Sequence, residues 1–259
     1  MHTALHRWAL LPLLLIALCA AAAPLPEARP EAAGLSTQRL ARLDELMQRA
    51  VEAGDFPGAV VMIARNGKLV YSRAFGMQDK AAGTPMALDS IFRAYSMTKP
   101  IVSVGAMILV EEGRLGLHEP VSKFLPEFKD MKVAVESFDP ATGSASFHTV
   151  PARRQMTVQD LLHHTSGITY GVFLPKQFQL QKLYAEAKLF EQPNLDVFCK
   201  ALAKLPLRYE PGTTWEYGHS TDVLGRVVEV ASGQPLDVFL AERILQPLKM
   251  VDTGWHVPA

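Results

Sequence analysis

Ser96 and Lys99 stand three residues apart in Phe92-Arg-Ala-Tyr-Ser-Met-Thr-Lys-Pro100, directly before an apolar run, Ile101 to Glu112, that reads as a helix. Three residues is nearly one helical turn, so the two side chains share a face. Pro100 is tolerated in a first turn, where its missing N–H would have no intrahelical acceptor. Ser96 is thereby placed at the helix start, where free backbone N–H groups and the positive end of the dipole converge. A serine hydroxyl becomes a nucleophile when a base takes its proton. A lysine desolvated near that positive end sheds its own proton more readily and can then accept one. The oxyanion that forms needs N–H donors, and the N–H of Ser96 is a candidate. The same spacing also fits a plain helix cap followed by a solvated lysine.

Tyr217 lies in Glu210-Pro-Gly-Thr-Thr-Trp-Glu-Tyr-Gly-His-Ser220, a Gly-punctuated loop ahead of a second helical run. A phenol is a poor base at neutral pH, but a nearby ammonium stabilises the phenolate, so a tyrosine and a lysine can share one proton. A half-buried, hydrogen-bonded tyrosine is the plain alternative. Gly218-His-Ser-Thr-Asp222 approaches the G-x-S-x-G elbow of α/β-hydrolases, but its last position is Asp222, and Ser220 is equally explained as a helix cap. His163 and His164 are adjacent, so on a helix they point in different directions, and no H-E-x-x-H accompanies them. They read as packing and C-terminal capping groups, and no metal or cofactor is implied. Tyr170 and Phe173 follow Gly167 in a stretch that suits an acyl pocket or core packing alike.

These residues need a frame. Ser36 is placed to cap a helix through Leu40, Leu43, Met47, Ala50 and Val51, which Gly54 ends. Gly58 to Ala64 and Leu69 to Phe75 are β-rich runs joined through Asn66-Gly67, whose positive φ angles suit a type I′ hairpin turn. The first run barely alternates, which predicts burial on both faces. From about residue 95 to 245 the pattern is mostly helical: Thr157 and Asp160 resemble a capping box, Gly167 is expected to stop that helix, Ser220 to Gly233 bounds another, and a further one spans roughly Leu236 to Leu245. The stretch from Val135 to Pro151 is polar and reads as a loop, so no second set of strands is expected after the hairpin.

The 259 residues are 49% hydrophobic and 20% charged, with 26 Lys+Arg against 26 Asp+Glu, which suits a globular fold and leaves no basic surface for nucleic acid. Residues 1 to 22 read as a secretory signal: His2, His6 and Arg7, an apolar run from Trp8 to Leu18, then small residues with a cut expected after Ala21 or Ala22. The run is too short to span a bilayer, so stable membrane insertion is not expected. Leu18 before Cys19 disfavours lipidation. The protein is thus expected to be exported, periplasmic or secreted, with residues 23 to 259 forming the mature domain. Without the leader Cys199 stands alone, which excludes an internal disulfide.

Tyr-Ser-Met-Thr-Lys-Pro, Leu161-Leu-His-His-Thr-Ser-Gly167, Pro-Gly-x-x-Trp-x-Tyr and Pro-Leu-x-Met-x-Asp-Thr occur in an order that resembles the serine β-lactamase-like family, from about Gly34 to Pro258. That family includes class C β-lactamases, D-alanyl-D-alanine carboxypeptidases and esterase relatives. The resemblance implies an α/β (α+β) fold of the β-lactamase/transpeptidase kind, with an antiparallel sheet flanked by helices and a mostly helical subdomain. It further implies Ser96 as the acylated nucleophile, Lys99 as its proton partner and Tyr217 as general base. Where lactam and peptide hydrolases carry Tyr-x-Asn, this chain has Tyr217-Gly-His219, so His219 takes the place of a substrate-amide partner and the wording favours the esterase branch. No K-T-G is present, and Asp252-Thr-Gly254 reads as a turn. The family's closing strands are expected to be missing from the chain, which predicts a truncated member, weakly active or inactive, unless another polypeptide completes the sheet. The substrate implied is a small ester, with a lactam or cell-wall peptide as the alternative, and a non-catalytic binding relative as the rival from another class. Nothing in the sequence sets an oligomeric state.

Overall fold

The structure is a computed structural model that describes residues 24–143 and 145–255; the expected export leader lies outside the described residues. The chain divides into two compact units, one ending at Ser90 and the other beginning at Ile91.

In the first unit, Ser36 accepts a hydrogen bond from the Arg39 N–H and opens α1 (Thr37–Ala53), which Gly54 closes at φ 81°. β1 (Gly58–Arg65) and β2 (Lys68–Asp79) form the predicted antiparallel hairpin, with Asn66 at φ 52° and Gly67 at φ 70°. A short β3 (Thr84–Pro85) pairs with the far end of β2. Val70, Tyr71 and Phe75 of β2 are buried, and the Tyr71 hydroxyl donates to Asp44 of α1. Burial and the Asp44 carboxylate push that phenol up to about 12. The expectation of two buried faces on β1 is not met: none of its residues is buried and Met62 is 54% exposed. The unit's buried side chains are Ala33, ahead of α1, and Val70, Tyr71 and Phe75 of β2, whereas β1 supplies only partly covered ones.

In the second unit, α2 (Thr98–Glu111) buries Val102, Ala106 and Leu109 against α6 (Ser220–Ser232), which contributes Val223, Leu224, Val227 and Val228. Each set repeats three or four apart, so each helix presents one apolar stripe. α5 (Leu195–Leu202) and α7 (Leu236–Leu240) pack on α6, and α7 continues into a π-helical turn, Ala241–Leu245. α4 (Gln179–Glu186) covers the side by the strands described next.

Two expectations for this unit are corrected. The segment read as a loop from Val135 to Pro151 lies almost wholly in a second hairpin, β4 (Lys132–Phe138) with β5 (Ala145–Pro151). Val133 is buried, Glu136 and Thr149 are partly covered, Val135 and Phe138 are exposed, and Ser137 pairs with Ser146 across the strands. Such polar cross-strand pairs stabilise a hairpin without hydrophobic alternation. α3 (Val158–His163) ends before Gly167, because His164 itself adopts the left-handed cap at φ 56°.

The Thr157–Asp160 capping box forms as read and carries more than a cap. Asp160, almost fully buried, accepts from Arg154 at 2.7 and 2.9 Å, from the Thr157 N–H and hydroxyl at 2.8 Å each, and from the Thr165 hydroxyl at 3.0 Å. Burial alone would raise this carboxyl, but Arg154 and the threonine donors outweigh it and hold it at about 2, below the ordinary 3.8. The stabilisation is therefore present above about pH 4 and is lost as the pH falls toward 2, a difference of about 2 kcal/mol. Asp160→Asn is expected to cost about 2–3 kcal/mol at pH 7 and to flatten the acid limb. Urea unfolding at pH 7 and pH 3 checks this; an Asn variant as stable as the parent at pH 7 would remove Asp160 as the anchor of this corner.

Candidate active site

The segment that carries the nucleophile candidate is a single 3-10 turn, Tyr95–Met97, run directly into α2. Tyr95 begins it in the left-handed region at φ 43°, a conformation costing a bulky residue about 1–3 kcal/mol. Its side chain is turned out to 77% exposure, while the Ser96 hydroxyl meets Lys99 and Tyr217. α2 starts at Thr98 rather than Ile101, so Lys99 lies in its first turn with Pro100 beside it. Lys99 Nζ is 3.2 Å from Ser96 Oγ, as the one-turn spacing requires.

Tyr217 arrives from far along the chain. The segment from Leu207 to Glu216 lies against residues 164–168: the Arg208 N–H donates to Gly167 O at 2.8 Å, the Gly212 N–H to Thr165 O at 2.7 Å and the Glu216 N–H to His164 O at 2.8 Å. Gly167 is required here, since at φ 84° a Cβ would lie 2.0 Å from the Tyr209 carbonyl oxygen. The Glu216 carboxylate is clamped by Arg208 Nη1, at 2.8 and 2.9 Å from its two oxygens, and by the Thr169 hydroxyl at 2.6 Å. Gly218 follows, and a Cβ there would lie 2.3 Å from Ile168 O, so only glycine lets the chain pass. Held on both sides, Tyr217 puts its hydroxyl 2.6 Å from Ser96 Oγ. Trp215 stacks beside its ring (6.0 Å, 13°), with His164 tilted against it at 5.1 Å.

Tyr170 completes the cluster. Its hydroxyl accepts from Lys99 Nζ at 3.2 Å, and its ring stands edge-on to that of Tyr217 at 5.4 Å. The sequence marked Tyr170 only as a possible pocket wall. Seventy-one residues separate it from Lys99, so no local spacing announces the contact.

Lys99 and Tyr217 are shifted in opposite directions. Burial pulls Lys99 down, but the hydroxyls of Tyr217 and Tyr170 outweigh it and leave the ammonium favoured above the ordinary lysine value. This corrects the expectation of a lysine that loses its proton: two phenol oxygens stabilise the charge more than desolvation penalises it. Tyr217 moves the other way, lowered first by Lys99 and then by the hydrogen bond to Ser96. Tyr170 is raised by burial, which Lys99 only partly offsets. His164 is lowered by burial and by the Lys99 charge, so it stays neutral. The cluster favours a charged Lys99 beside an acidified Tyr217, a pair able to act as an ammonium and a phenolate base.

A cavity of about 710 Å³ opens at Ser96, Lys99 and Tyr170 and runs past Val102, Leu195 and Asp222. Two residues expected at the substrate do not line it. His219 is 1% exposed, because as the residue before α6 it turns inward among Tyr170, Phe190 and Phe198. Phe173 is 76% exposed, its ring edge-on to that of Tyr170 at 6.1 Å. Ser220 is no cap: it is the first residue of α6, fully buried, with its hydroxyl 2.8 Å from that of Ser166. Among the described residues no group of three or more His, Cys, Asp or Glu could hold a metal ion, and no helix is long and apolar enough to cross a membrane.

The beta-lactamase family model matches residues 43–259. Esterase EstB of Burkholderia gladioli is 37% identical over 228 residues, covering 87% of this chain and 54% of the relative. Lovastatin esterase of Penicillium rubens is 33% identical over 83% of this chain and 52% of its own length. Among solved structures, EstCE1, described as a hydrolase with promiscuous acyltransferase activity, superimposes with a TM-score of 0.68 at 31% identity, covering 82% of this chain and 52% of that one. The chain spans about half the length of the curated relatives it matches.

Proposed function

The chain belongs to the beta-lactamase family, with the mixed helical and antiparallel-sheet fold of that family, and from that premise we propose that it is a serine hydrolase of the esterase branch, acting on carboxylic esters through an acyl-enzyme at Ser96. The observation that carries this is the convergence of Tyr217 Oη at 2.6 Å and Lys99 Nζ at 3.2 Å on one serine oxygen. Tyr217, as phenolate, takes the Ser96 proton while Oγ bonds to the ester carbonyl carbon. The carbonyl oxygen becomes the oxyanion, for which the Ser96 N–H is one donor. Tyr217 passes its proton to the departing alcohol as the C–O bond breaks, leaving the acyl group on Ser96. In the second half Tyr217 takes a proton from water, which attacks the acyl carbon, and returns it to Ser96 Oγ as the acid leaves. Lys99 remains an ammonium throughout and stabilises the phenolate.

Esters are favoured over lactams and peptides because the position that would meet a substrate amide is His219, which points away from the cavity. The esterase relatives support the same reading. The test compares short-chain nitrophenyl esters with a chromogenic cephalosporin. Faster turnover of the esters is expected; faster turnover of the cephalosporin would make the chain a lactamase, and turnover of neither would favour a binding relative.

A further inference from the structure

His219 is too deeply buried to meet a substrate, yet it sits directly behind the reacting cluster. Its ring is 4.5 Å from that of Tyr170, edge-on at 78°, with Phe198 at 5.2 Å and Phe190 at 5.3 Å closing the other sides. Its Nδ1 is 3.1 Å from Asp222 Oδ2, one turn on in α6. A carboxylate can only accept, so Nδ1 carries the proton, and the bond sets both the tautomer and the plane of the ring. An edge-on aromatic contact with a ring held in this way fixes the plane of Tyr170 in turn. Tyr170 then presents its hydroxyl to Lys99.

We propose that His219, tied to Asp222, is a positioning residue that acts through Tyr170: the imidazole holds the phenol, and the phenol holds the Lys99 ammonium between Ser96 and Tyr217. The proposal rests on the reading of Ser96, Lys99 and Tyr217 as the reacting groups. A lysine head is a point charge on a four-carbon stem with many rotamers. Ser96 and Tyr170 each take one of its N–H groups. Without the Tyr170 oxygen the ammonium loses a neutral acceptor in a partly desolvated place and is free to swing off Ser96, so both its charge and its aim suffer. The titratable groups around Tyr170 are Lys99 from α2, Tyr217 and His219 from the segment entering α6, and Asp222 within α6. Asp222 can also act on Lys99 by charge alone, so the test must separate the two routes.

The decisive measurement is the titration of Lys99 by NMR on the whole chain carrying isotope-labelled lysine. Tyr170→Phe removes the acceptor, and His219→Phe keeps a ring but removes the donor to Asp222. Each is expected to lower the Lys99 midpoint, and the double variant to lower it no further than Tyr170→Phe alone, because both act through one contact. In turnover, each single variant is expected to lose about tenfold in kcat with KM changed less than about twofold, and to move the alkaline limb of the kcat profile downward. A folded His219→Phe protein with an unmoved Lys99 midpoint, or a double variant in which the two drops add, overturns the proposal. Should His219→Phe fail to fold, Asp222→Asn decides, since that side chain is 41% exposed. Its effect on Lys99 must vanish in the Tyr170→Phe background, and an effect that persists there shows charge alone and overturns the positioning role. The titration needs no turnover, so a chain without esterase activity would sink the functional reading while this test still gives its answer.

Discussion

A fluorophosphonate probe will add covalently to Ser96, and Ser96→Ala will lose the label together with at least about 10³-fold of the ester turnover. The expectation rests on the geometry around this residue. Among the described residues, Ser96 alone combines the start of a helix, a cavity wall, a phenol oxygen at 2.6 Å and an ammonium at 3.2 Å. Ser220, the serine of the elbow-like sequence, is fully buried and committed to Ser166, so a probe has no path to it. Labelling that survives in Ser96→Ala would refute the assignment, and labelling mapped to Ser220 would revive the elbow. Ser96 Oγ already meets Lys99 and Tyr217, so the probe is expected to react without a prior conformational step.

The second large effect belongs to the proton partners. Lys99→Ala and Tyr217→Phe are each expected to lower kcat by about 10²–10⁴ with folding intact, the range of a positioned acid or base. The double variant should lose far less than the product of the two, because each group is effective only beside the other. The pH dependence has a definite sign. Tyr217 must be ionised to act, and it lies below the ordinary 10.0, so kcat rises through an acid limb below that value. Lys99 must stay charged, and it lies above the ordinary 10.5, so activity is lost only beyond that value. The two limbs belong to the coupled pair rather than to either residue. Multiplicative losses, or a Tyr217→Phe variant with full activity, would show that the two do not share a proton.

The parts legible in the sequence are those set by neighbours along the chain. The α1 cap at Ser36, the Asn66-Gly67 turn, the Thr157–Asp160 box and the Ser96–Lys99 contact all follow from spacings of one to four residues, because φ preferences, capping and helical rise act over that distance. The hairpin at Lys132–Pro151 is hard to read from sequence because its pairs mix apolar with polar residues, Val135 opposite His148 and Glu136 opposite Phe147, and Val135 and Phe138 are exposed. Its register depends on a partner across the sheet, which no window of sequence contains.

What the sequence determined by itself, then, is the candidate inventory and its local pairing: a serine and a lysine on one helical turn, and a tyrosine on a loop bounded by glycines. Tertiary structure alone decided how those groups behave. It brought Tyr170 across 71 residues onto Lys99, and the two phenol oxygens there outweigh desolvation and reverse the direction in which the lysine titrates. It also buried His219, one residue beyond Gly218, among the rings of Tyr170, Phe190 and Phe198, which reach it from other parts of the chain. Charge and burial are sums over groups that meet in space, and their signs are set only when the loops from residues 164–170 and 207–219 have docked on α2 and α6.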